Sequence, residues 1–88
     1  MKHAGPAALE TLAPLLEKLR KRAAMREKKP GIFYLRSSAF LHFHEDPAGF
    51  FADAKIGTDF LRMRVSTRAE QKALLAAIDH FLNASEAR

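Results

Sequence analysis

Two histidines one residue apart, His42 and His44, sit in the stretch AFLHFHEDPAGFFADAKI, with Glu45 and Asp46 directly after them and Asp53 beyond a Pro-Ala-Gly break. Imidazole and carboxylate are the donor types of a two-histidine, one-carboxylate centre for a transition metal, which makes His42, His44 and Asp53 a candidate ligand set. The same types offer a second chemistry, with His42 as a general base oriented by Asp53. The commoner role of a histidine beside a carboxylate is a structural ion pair. Other catalytic equipment is missing from the chain. It has no cysteine, no Gly-x-Ser-x-Gly turn, no glycine-rich phosphate loop and no dinucleotide fingerprint. No catalytic residue and no cofactor is therefore assigned.

A second kind of chemistry comes from charge. Residues 1–30 carry eight lysines and arginines against three glutamates, whereas the remainder holds seven of each sign, so the net charge of +5 belongs to the first segment. Within it the run EKLRKRAAMREKKP places Lys18, Lys21, Arg22, Arg26, Lys28 and Lys29 close together. On a helix these side chains avoid the leucine stripe and can run along phosphates with salt-sensitive, sequence-blind affinity. Cations near a helix C-terminus also complement its dipole, which explains the run without any partner.

The elements that position these groups follow from periodicity. Leu9, Leu12, Leu16, Leu19 and Ala23 recur at spacings of three and four, and Leu15 widens the stripe, which predicts a helix from near Leu12 to just before Pro30-Gly31. Thr11 is its expected N-cap, with Pro14 in the first turn. Residues 1–8 are expected to be a loose tail. Ile32–Arg36, Ala39–Glu45, Phe50–Ile56 and Phe60–Ser66 alternate with a period of two between short turn sequences, the pattern of a four-stranded antiparallel meander. A second helix follows, opened by a Thr67–Glu70 capping box and carrying Leu74, Leu75, Ile78, Phe81 and Leu82 on one face.

Turn lengths then assign faces. A four-residue Asp-Pro-Ala-Gly loop sets His42 opposite Asp53, and a two-residue Gly57-Thr58 turn sets Asp53 opposite Arg62. Residues paired across strands share a face. One face is apolar, with Phe33, Leu35, Leu41, Phe43, Phe50, Ala52, Ala54, Ile56, Leu61, Met63 and Val65 facing both helices. The other carries Tyr34, Arg36, Phe40, His42, His44, Phe51, Asp53, Lys55, Phe60, Arg62 and Arg64.

The expected class is α+β, one domain of 88 residues in the order helix, four strands, helix, with both helices on one sheet face as a two-layer sandwich. The expected function is a non-catalytic binding or interaction module. Its candidate nucleic-acid contacts are Lys18, Lys21, Arg22, Arg26, Lys28 and Lys29, together with Phe51, Phe60, Arg62 and Arg64 on the open sheet, where aromatic rings beside cations suit single strands. The alternatives are a homodimer closed over the open face and a histidine–carboxylate metal protein or enzyme. No stretch reaches the roughly 20 apolar residues of a membrane span, and the expected setting is cytoplasmic.

Overall fold

The computed structural model describes residues 1–86, and among them the chain forms six strands and three helices. In order these are β1 (Lys2–His3), α1 (Pro6–Thr11), α2 (Ala13–Arg20), β2 (Met25–Lys29), β3 (Ile32–Leu35), β4 (Ser38–Asp46), β5 (Gly49–Ala54), β6 (Leu61–Arg64) and α3 (Arg68–Glu86). All the strands belong to one antiparallel sheet in the order β2-β3-β4-β5-β6, and β1 pairs with β4. The fold is α+β, and the helices share one apolar cluster with a single face of the sheet.

The first segment departs from the expected single helix. Its helical part starts earlier, at Pro6, whose missing N–H is no loss in a first turn. It breaks at Leu12 and resumes with Pro14 in the opening turn of α2. Thr11 lies inside α1, where its Oγ1 donates to the Ala7 carbonyl, and Leu12 takes the N-cap position instead. Leu12, Leu15, Leu16 and Leu19 are buried as the spacing requires, but Ala23 is exposed.

The helix ends at Arg20, ten residues short of Pro30. Residues 25–29 form the edge strand β2, turned back onto β3 at Pro30-Gly31. Gly31 has φ +77°, the left-handed value that the third position of a Pro-Gly type II turn demands. The charges of β2 suit an edge, since they discourage pairing with another chain. Residues 2–8, expected to be loose, are instead built into strand and helix. Lys2 and His3 pair with Glu45 and His44, and the Gly5 N–H donates to Glu45 Oε2 at 2.7 Å.

Two arginines lock this rearranged segment. Arg20 binds Glu27 through two nitrogens, and Glu27 also accepts from the Gly31 N–H at 2.9 Å, so α2, β2 and the turn are tied together. Arg22 forks onto Asp79 of α3 at 2.9 and 2.8 Å. The guanidinium beside each acid holds the Glu27 and Asp79 carboxyls below their ordinary values. A depressed folded pKa gives stability that is full above the unfolded value of about 4 and is lost as pH falls through the folded one. Urea midpoints are therefore expected to drop steeply below about pH 4, with a shallower acid drop in Glu27→Gln. An equal drop in that variant would remove Glu27 from this account.

The meander itself keeps its expected register. Phe43 pairs with Ala52, His42 with Asp53, Ala54 with Leu61 and Asp53 with Arg62. Three details differ. The ladder between β5 and β6 ends at Ala54–Leu61, so residues 55–60 form a longer connection than a two-residue turn. Phe40 falls at a bulge between β3 and β4 and turns into the core, where its ring stacks on Phe81 of α3 at 5.6 Å. Leu61 lies at the end of an edge strand and is 51% exposed, although Phe43 and Leu74 are buried as expected. The capping box forms, with the Glu70 N–H donating to Thr67 Oγ1 at 3.1 Å and the Thr67 N–H to Glu70 Oε1 at 2.9 Å.

Candidate functional site

The helix-free face is organised in two rows of side chains. Pairing places Ile32, His42, Asp53 and Arg62 in one row across β3, β4, β5 and β6. The neighbouring row is His3, His44, Phe51 and Arg64, from β1, β4, β5 and β6. Both rows exist because β4 is long: its first half pairs with β3, its second with β1, and β5 covers its other edge.

Asp53 is the centre. It is 7% exposed, and Arg62 grips both of its oxygens at 2.8 Å. The Arg62 guanidinium holds the Asp53 carboxyl below the usual carboxylate range, so it is anionic near neutral pH. His44 Nε2 stands 3.1 Å from Asp53 Oδ2 and His42 Nδ1 stands 3.1 Å from the same His44 nitrogen. His3 stacks on His44 with ring centroids 4.7 Å apart, and Phe60 meets His42 edge-on at 5.1 Å. Burial pushes the His42 imidazole below its ordinary value, against the pull of Asp53. His42 is therefore neutral at pH 7 and keeps a nitrogen lone pair.

Cations line both margins. Arg26 pairs with Tyr34, and Lys28 Nζ lies 4.6 Å over the Tyr34 ring, which puts these two of the three β2 cations on the helix-free face. At the opposite margin Arg62 holds Asp53, and Arg64 reaches Glu70 and the Ala48 carbonyl. Phe51 is half-buried and Phe60 exposed between these margins.

The expected basic helical stripe does not exist, because its residues are divided between the two layers. Lys18 and Lys21 stay exposed in the helical layer and Arg22 is engaged with Asp79. Arg26, Lys28 and Lys29 lie on β2. His42, His44 and Asp53 come together as expected, but His3 joins them from a segment read as a tail. A two-residue strand has no periodicity by which to be found. The signal for β2 was present in Pro30-Gly31, a turn dipeptide as well as a helix stop. No protein-family model, no characterised protein and no solved structure matches this chain.

Proposed function

We propose that this protein is a non-catalytic binding module whose helix-free sheet face takes single-stranded nucleic acid. The observation that carries the reading is the convergence of two surfaces that look separate in the sequence. Arg26 and Lys28 join Arg62 and Arg64 on the face that also bears Tyr34, Phe51 and Phe60. Cations at two margins can neutralise phosphates, and rings between them can stack bases without reading their identity. Unpaired bases are free to stack on such rings, whereas those of a duplex are already stacked on one another. The cysteine-free chain accords with a cytoplasmic setting, and no helix among the described residues is long and apolar enough to cross a membrane.

Fluorescence anisotropy with labelled single-stranded and duplex oligonucleotides at several salt concentrations tests this. Four phosphate contacts on a single strand, at about 0.7 per contact, give a slope of about −2.8 for log K against log salt. Arg26→Glu with Lys28→Glu should flatten that slope by about half. Phe60→Ala should weaken single-strand binding by about 1–3 kcal/mol if it stacks one base. Reversal of Lys18 and Lys21, in the other layer, is expected to change little. Absence of salt-dependent binding defeats the proposal, and a solution mass that rises with concentration would then favour a dimer closed over the same face.

A further inference from the structure

We infer that His3, His42 and His44 form a binding site for a divalent transition-metal ion, zinc being the type case, built where β1 pairs with β4. This goes beyond the nucleic-acid reading and stands without it. Each histidine offers one ring nitrogen, and these nitrogens lie within 4.8 Å of one another. The placement follows from backbone pairing: His3 is the register partner of His44, and His42 is the next residue on the same side of β4.

Distances favour an ion. Zinc bonds imidazole nitrogen at about 2.0–2.1 Å, so two adjacent ligands of a tetrahedral site sit about 3.3–3.4 Å apart. His42 Nδ1 and His44 Nε2 are already 3.1 Å apart. His3 is exposed, and rotation of its side chain can close the set.

Proton bookkeeping points the same way. His44 Nε2 is 3.1 Å from both His42 Nδ1 and Asp53 Oδ2. One imidazole nitrogen carries at most one proton, and an ionised carboxylate only accepts. If His44 Nε2–H donates to Asp53, the His42 nitrogen has no well-directed hydrogen to accept. If His42 donates instead, the His44 lone pair faces the carboxylate. A cation bound to both nitrogens removes this conflict and places positive charge beside Asp53. Arg62 keeps both Asp53 oxygens occupied, so the carboxylate balances the charge of the site while the histidines supply the bonds. Imidazole donors select zinc, copper or nickel over calcium and magnesium, which require oxygen. The fourth position opens to the helix-free face.

The test is calorimetric titration of tag-free protein with zinc chloride, alongside nitrogen NMR of the imidazole rings. One equivalent should bind, shifting the ligating nitrogens of all three histidines, while calcium chloride gives no heat. Asp53→Asn should weaken binding about 10- to 100-fold as an outer-sphere change, and His3→Ala and His44→Ala by at least about tenfold. His80→Ala, at an exposed position on α3, should leave it unchanged. Should His44→Ala fail to fold, His3→Ala decides, since that side chain is exposed on a two-residue strand. Absence of heat and of imidazole shifts at millimolar zinc overturns the inference, as does wild-type affinity in His3→Ala.

Discussion

Phe33→Ala is expected to leave much of the protein unfolded near physiological temperature. Phe33 is 1% exposed on β3, among the largest fully buried side chains, and belongs to the cluster that joins the helices to the sheet. Truncating a buried phenylalanine loses its transfer energy and leaves a cavity, together about 3–5 kcal/mol. A chain of 88 residues has a total stability of roughly 4–13 kcal/mol at about 0.05–0.15 kcal/mol per residue. The melting temperature should fall by at least about 12 °C, at about 4 °C or more per kcal/mol for a domain of this size. Thermal and urea denaturation followed by circular dichroism measure the loss, and Phe33→Leu should retain most of the stability. A loss below about 1 kcal/mol would mean that the interior closes around the missing ring, against the range for such truncations.

Gly49→Ala is the second large effect, and it acts on the site through the hairpin that sets its register. Gly49 has φ +134°, a backbone region essentially closed to side chains, and a Cβ there would press on Ser66 Oγ and approach Arg64 Nη2 to 3.0 Å. Ser66 Oγ accepts the Phe50 N–H at 2.8 Å, so pushing it away also breaks that bond. Backbone strain of about 1–3 kcal/mol plus roughly 1 kcal/mol for the hydrogen bond gives an expected loss of about 2–4 kcal/mol. Gly57→Ala is the matched control, because nothing lies within 4 Å of a Cβ built there. If the two variants melt together, steric pressure at Gly49 is not what sets this turn. If Gly49→Ala folds with lowered stability, NMR of the His42 and His44 rings should show whether the pairing with β5 has moved.

These two residues also mark which parts of the protein can be read without coordinates. Phe33 is assigned to the core by alternation alone, and Gly49 closes a turn whose length sets His42 opposite Asp53 and, through the next connection, Asp53 opposite Arg62. Strand period, loop length and the Thr67–Glu70 cap are local quantities, spanning a few residues each. They decide the register of β4, β5 and β6, the apolar face, and the Asp53 row of the site. The connection between β5 and β6 shows how robust this is: it is longer than a two-residue turn, yet the register is the expected one because residues leave both strands equally.

Tertiary structure decided the rest, and each case involves a competition that no short window contains. Residues 21–29 are strong helix formers by propensity, being mostly alanine, methionine, arginine, glutamate and lysine. Met25–Lys29 form β2 because β3 offers an unpaired edge, Met25 finds a place in the core and Glu27 meets Arg20 across the layers. His3 reaches the histidine cluster because β4 is longer than β3 and leaves a stretch of backbone for β1 to pair with. Phe40 turns inward because a bulge breaks the alternation, and Leu61 stays exposed at the end of an edge strand. Spacing along the chain therefore determined which groups His42, Asp53 and Arg62 would meet. Long-range pairing, which rewards backbone groups far apart in sequence and overrides weak local preference, decided that Arg26, Lys28 and His3 would share their face.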